Sequence, residues 1–204
     1  MQFGIAIPTA ADSWRLVRRA EELGFSNAWF FDTQMLSADP FVAMAAAAMK
    51  TTRIKLGTGV LIPSNRIAPV AATAFASLNK LAPGRIVFGI STGFTGRRTM
   101  GLGAVKLADM EEYIRVVQAL WRGETVDCAI EGKRRAIRLL NPELGLINVD
   151  DPMPLFIAAS GPISVGSMMP AEAASTAPRR ATSVMGHTTA VVMAGRSLQR
   201  SMNW

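Results

Sequence analysis

Two apolar runs govern what this chain can fold into. One is Ile54-Lys-Leu-Gly-Thr-Gly-Val-Leu-Ile-Pro63, and the other begins at Arg85-Ile-Val-Phe-Gly-Ile-Ser-Thr-Gly93 and continues to Gly101. Each is β-type and ends in glycine and hydroxyl residues. A strand covered on both faces need not alternate apolar with polar residues, so such runs read as buried parallel strands. An α/β barrel places its chemistry at the C-terminal ends of strands like these.

Strand and helix signals alternate over the first 160 residues. Phe3 to Pro8 reads as a strand, followed by a helix capped by Asp12 or Ser13 with Trp14, Leu16, Val17, Ala20 and Leu23 on one stripe. Gly24 stops it. Asn27 to Asp32 is a second strand. Asp39-Pro40 opens an alanine-rich second helix reaching Met49. Arg53 to Ile62 is the third strand, and Pro69 starts a third helix ending at Ala82-Pro-Gly84. Arg85 to Ile90 is the fourth strand, Leu107 to Trp121 a fourth helix, and Pro154 to Ser160 a fifth strand. A polar insert between Gly123 and Pro152 is expected to form a small hairpin or ordered loop over the barrel end. Strict alternation implies a mostly parallel sheet with right-handed crossovers. The expected class is α/β, of (β/α)8 barrel type. It is incomplete, because a full barrel needs about 250 residues and eight strands, against the five strands and four helices counted here.

Residues 161–204 differ in kind. They hold five of the twelve methionines, the only histidine, one leucine and one acid, Glu172. Without sustained periodicity, they read as an irregular or disordered tail, or as the product of a frameshift near Gly161. The expected division is therefore 1–160 for the partial barrel and 161–204 for the tail.

Composition excludes several classes. A single cysteine, Cys128, forbids an internal disulfide and fits a reducing compartment. No apolar run approaches the roughly 20 residues that span a bilayer, and the N-terminus lacks a signal-peptide pattern. The chain is expected to be cytoplasmic and free of membrane. A net charge of +7 comes from scattered Lys and Arg without an aromatic platform, so no nucleic-acid partner is expected. His187, the only histidine, lies in the tail, which argues against a Ser-His-Asp triad or a metal cluster. The Gly57-x-Gly59 pair lacks the third glycine of a dinucleotide fingerprint, since position 62 is Ile.

Over roughly residues 3–163 the chain resembles the bacterial luciferase-like monooxygenase family, including its deazaflavin-dependent reductases. The resemblance rests on Ile5 to Pro8, Glu22 to Phe25, Ala28 to Asp32, Leu56 to Val60, Asn65 to Pro69, Leu81 to Arg85, Phe88 to Gly93 and Gly96 to Gly101, in that order and spacing. The pattern is nearest to methylenetetrahydromethanopterin reductase-like members. It implies an eight-stranded barrel binding FMN or the deazaflavin coenzyme at the C-terminal face, with hydride transfer or monooxygenation of a small organic substrate.

The residues suit such a ring. Thr58, Gly59 and Val60 let backbone approach a flat cofactor, since glycine carries no side chain; the alternative is a softened strand end without a ligand. By resemblance, a non-proline cis peptide is expected at Gly59–Val60. Asp32 can orient the ring or take a substrate proton, or else is an ordinary cap or loop acid. Many relatives carry a histidine after this acid, where this chain has Thr33. Asn65 can bind the ring edge or the cofactor tail, or is a plain loop asparagine. Ser91, Thr92 and Gly93 suit ribityl or phosphate oxygens. Arg97 and Arg98 offer guanidinium forks to a phosphate or an anionic substrate, or are solvated loop arginines.

Three functional readings follow. One is a flavin or deazaflavin oxidoreductase, completed by another chain or by an oligomer, with a homo-oligomer or self-association through the open barrel edges expected. The second is a non-catalytic half-barrel that binds a partner protein. The third is an inactive gene product. The deazaflavin is slightly favoured over FMN.

Overall fold

The computed structural model describes residues 3–158. Strand β1 (Gly4–Ile7) leads through a turn into helix α1 (Trp14–Glu22). Ser13 precedes the helix without a side-chain cap; its hydroxyl accepts instead from the Ala10 N–H at 2.9 Å, closing the turn. Strand β2 (Asn27–Phe30) is followed by α2 (Pro40–Ala48). Here the expected cap is present: Asp39 Oδ1 accepts from Phe41 N and Val42 N, and Pro40 occupies the first helical turn. Strand β3 (Lys55–Thr58), a single 3-10 turn at Pro63–Asn65, and α3 (Ala68–Leu81) come next. Strand β4 (Ile86–Ile90) leads to a short helix, α4 (Thr95–Arg98), which the sequence reading treated as loop. Helix α5 (Leu107–Trp121), an antiparallel hairpin β5 (Val126–Ile130) and β6 (Lys133–Ile137), and β7 (Leu155–Ile157) complete the described part.

The polar insert is therefore a hairpin, turning at Glu131 and Gly132 with both φ positive. It packs along α5, burying Val126 and Cys128. The expected tail, residues 161–204, and the last residues of the expected fifth strand lie outside the described residues.

The sheet order is β1-β2-β3-β4-β7, and every neighbouring pair is parallel. One face packs on α1, α2, α3 and α5. Phe30, Leu56, Phe88 and Ile90 from the strands meet Met44, Phe75, Val117 and Leu120 from the helices, and all are buried. Phe75 is the hub: its ring lies 5.0 Å from Phe41, 5.0 Å from Phe88 and 5.8 Å from Trp121. Alanines on α2 and α3 let these helices sit close, which keeps the wall thin.

The opposite face is the one a closed barrel would turn inward. Trp29 dominates it. A Cβ added to Gly57 would lie 2.7 Å from the Trp29 ring, and one added to Gly4 would lie 2.8 Å from its Nε1. Gly4 is in register with Asn27, two residues before Trp29. The indole therefore leans toward the N-terminal end of the sheet, where glycines make room for it, and stacks at a tilt on Phe156 with centroids 5.1 Å apart. It forms a floor beneath the strand tips.

Candidate functional site

Because the strands are parallel, their C-terminal tips gather at one end. The β3 and β4 tips are side by side: Leu56 pairs with Ile86, Gly57 with Val87, and beyond the strands Leu61 bridges to Ile90. Gly59 and Val60 lie between, half-buried, and their peptide bond is cis, at the position the resemblance implied. A Cβ on Gly59 would come within 2.7 Å of Trp29 Cβ, so glycine is required where the strand tip crosses the floor.

Thr58 is placed differently from the other tip residues. It is fully buried, its hydroxyl donating to Gly89 O at 2.6 Å and accepting from Gly89 N at 3.1 Å. Its side chain locks β3 to β4, and only its backbone belongs to the tip.

Asp32 is 4% exposed, and both its oxygens are engaged within the protein. Oδ2 accepts from Ile62 N at 3.0 Å, and Oδ1 pairs with Arg66 at 3.4 Å. Arg66 also pairs with Asp39, the α2 cap, and its guanidinium lies 4.7 Å from the centroid of Phe41. One cation thus ties the β2 tip, the β3 tip and the start of α2 together. The Tyr113 hydroxyl on α5 is buried without a protein partner. Burial pushes its pKa well above the usual range; Arg66 opposes this and Asp32 reinforces it.

A second link joins three loops. Gln34, after β2, donates through Nε2 to the carbonyl of Gly96 in α4. Its Oε1 accepts from Asn65 Nδ2 at 2.7 Å. The other end of that amide, Asn65 Oδ1, is buried with no partner. Gly96 itself has no room for a side chain, since a Cβ there would meet Ile62 at 2.6 Å.

Ser91 and Thr92 are half-buried at the β4 tip, with Ser91 Oγ donating to Ala158 O at 3.0 Å. Gly93 takes φ +76°, a conformation that favours glycine, and abuts Ile62. Arg97 donates back to Gly103 O, and Arg98 lies over the Phe94 ring at 3.9 Å. The structure thus brings Gly59, Val60, Asn65, Ser91, Thr92 and Gly93 together. It holds both arginines against their own segment, α4 and the residues flanking it.

Sequence reasoning missed three contributors. Arg66 stood beside Asn65 without a partner in view, because its two carboxylates are 34 and 27 residues away. Gln34 follows the second strand and carries no signal of its own. Trp29 lies inside that strand, and only register reveals it as a floor. Among the described residues there is no cluster of His, Cys, Asp or Glu fit to hold a metal, and no helix long and apolar enough to cross a membrane.

The chain is similar to known proteins. A family model described as luciferase-like monooxygenase matches residues 2–174. A coenzyme F420-dependent glucose-6-phosphate dehydrogenase of Beutenbergia cavernae is 40% identical over 127 residues, covering 58% of this chain and 36% of the relative. A 5,10-methylenetetrahydromethanopterin reductase of Methanolobus tindarius is 34% identical over 109 residues, covering 52% and 33%. Among solved structures, the coenzyme F420-dependent tetrahydromethanopterin reductase of Methanopyrus kandleri superposes with a TM-score of 0.67 over 81% of this chain and 52% of that one. At 23% identity that likeness speaks to fold alone. The chain spans about a third to a half of the length of these proteins.

Proposed function

We propose that this chain, which belongs to the luciferase-like monooxygenase family, seats a planar redox cofactor on the tips of β3 and β4 and serves hydride transfer to or from a small organic substrate. The deazaflavin coenzyme is the first choice and FMN the second, because the 40% identical relative above is named for dependence on F420, the deazaflavin coenzyme. One observation carries the reading: at two adjacent tips Gly59 and Val60 are half-buried over the Trp29 floor, Gly93 packs on Ile62, and an unpartnered acceptor, Asn65 Oδ1, lies on the turn that follows β3.

The residues fit such a group. When bound, the ring supplies the hydride-transfer centre, since that chemistry is the cofactor's own. The chain supplies shape and orientation. Gly59 and Val60 offer a surface against which a flat ring can lie. Ser91 and Thr92 offer hydroxyls to a polyhydroxyl chain, and Arg97 in α4 serves as an anion partner. Asp32 acts by position: it fixes Ile62 and Arg66, so the β3 tip holds its shape. With both oxygens engaged, it is a poorer candidate for taking a substrate proton than its strand-end location suggested.

Completion by a second copy belongs to the same reading. Among the described residues, β1 pairs only with β2 and β7 only with β4. Edges left open among the described residues favour self-association. We also keep the division at residue 160, with 161–204 as a separate tail, for limited proteolysis to check. The function is tested by incubating the whole chain with the deazaflavin coenzyme and a panel of sugar phosphates, secondary alcohols and reduced pterins, following cofactor absorbance. Turnover with any of them supports the reading. A folded chain inert with both cofactors and every substrate contradicts it.

A further inference from the structure

The Gln34–Asn65–Gly96 chain of hydrogen bonds fixes which way an amide faces. A carbonyl can only accept, so Gln34 must turn its NH2 group toward Gly96 O. That turns Gln34 Oε1 toward Asn65, and an oxygen there can only accept. Asn65 must therefore present its own NH2 group to Gln34, at 2.7 Å. Its Oδ1 is left facing away, buried and without a partner. The orientation is set by three loops at once, from the tips of β2, β3 and β4, rather than by Asn65 alone.

Buried acceptors in folded proteins are nearly always matched, and an exception calls for a missing donor. The surroundings of this one are already desolvated, so a donor supplied there is worth more than in water. We propose that Asn65 Oδ1 is the acceptor for the ring imide N–H of the cofactor, and that Gln34 is the positioning residue holding it in that role. The contact requires the Pro63–Asn65 turn to yield enough to admit the ring edge, since Oδ1 is buried. The imide N–H is a rigid, in-plane donor, which suits a rigid, pre-aimed acceptor better than the freely turning hydroxyls of a ribityl chain. This assignment rests on the proposed cofactor seat and adds to it the contact that reads the ring's edge.

The test uses the full chain and fluorescence titration with three ligands: FMN, FMN methylated at the imide nitrogen, and lumiflavin, which keeps the imide but lacks the ribityl chain. Wild-type protein is expected to bind the methylated compound about tenfold or more weakly than FMN, the penalty of a buried acceptor left without its donor. In Asn65→Ala the two should bind within about twofold of each other, since the acceptor is gone and its space admits the methyl group. Gln34→Leu frees the amide to turn and should likewise reduce the discrimination. If Asn65→Ala does not fold, Gln34→Leu alone carries the test through the same ratio. Discrimination that persists in the variants, or is absent from wild type, overturns the assignment. If instead lumiflavin shows no Asn65-dependent binding while FMN does, the donor is a ribityl hydroxyl and the imide assignment fails. Failure of wild type to bind any of the three, and the deazaflavin coenzyme as well, overturns the cofactor seat itself, a distinct outcome.

Discussion

Replacing Arg66 with methionine should destabilise the protein by about 3 kcal/mol. The guanidinium is 17% exposed and answers two carboxylates, of which Asp32 is 4% exposed and Asp39 43%. Removing one partner of a buried ion pair costs about 3–5 kcal/mol, because the other charge is left without compensation. Two features pull the figure to the lower end. Asp32 keeps its bond from Ile62 N, and Asp39 keeps its cap bonds to α2 and its access to water. Loss of the contact with Phe41 adds about 0.5–1 kcal/mol, while the methionine stem restores part of the packing. For a chain of this size, about 3 kcal/mol lowers the thermal midpoint by about 6–12 °C. Circular dichroism on heating, paired with urea unfolding, reads both quantities. The double variant Asp32→Asn, Arg66→Met should be less impaired than the sum of the two singles by about 1–2 kcal/mol, since the second change removes the stranded charge. An Arg66→Met protein within about 0.5 kcal/mol of wild type, or strict additivity, would refute the idea that this cation organises the strand tips.

Three further outcomes are expected. Thr58→Val, which keeps the shape but removes the hydroxyl bonded to both polar groups of Gly89, should cost about 1–3 kcal/mol in urea unfolding, and a neutral result would show that β3 and β4 do not depend on this lock. Gly57→Val should be destabilising by about 1–3 kcal/mol because its side chain meets the Trp29 ring, and Trp29→Ala in the same chain should relieve that clash, measurably so in the Gly57→Val background. Glu21 accepts from the backbone N–H groups of Thr52, Arg53 and Ile54; burial alone would raise its pKa, but those bonds together hold it below the usual 4.5. A lowered carboxyl stabilises the fold above its unfolded pKa and loses that contribution as pH falls through the folded value. Glu21→Gln should therefore be less stable than wild type at pH 7 by about 1 kcal/mol, with the gap narrowing below pH 4.5; a gap independent of pH would contradict this.

Much of the architecture was legible because it depends on local signals. Gly24, the Asp39-Pro40 cap and Ala82-Pro-Gly84 punctuate the elements, and the apolar runs between them leave few alternatives to parallel strands. The 3.6-residue stripe of Leu107 to Trp121 became α5 with the same bounds. What escaped depends on distance in sequence. Helix α4 is one turn with no apolar stripe, so periodicity cannot find it. The role of Thr58 could not be read from Thr58, because its hydroxyl answers Gly89, 31 residues on. Arg66 carried no mark of its two carboxylates, and Asp32 looked like a free strand-end acid until its neighbours filled both oxygens. At the candidate site, glycine and hydroxyl residues at strand ends identified where to look. The amide relay through Gln34 needed coordinates, because only bond direction says which end of Asn65 is unanswered.

The most direct test of the cofactor seat is equilibrium titration of the intact chain with the deazaflavin coenzyme and with FMN, read by fluorescence, beside the same titration of Gly59→Leu. A leucine there would meet Trp29 and displace the floor on which the ring is proposed to lie. Saturable binding by wild type that weakens at least tenfold in a folded Gly59→Leu protein is the predicted result. Equal binding by the two proteins, or none by a folded wild-type chain, would mean that the tips of β3 and β4 are not where a redox ring lies.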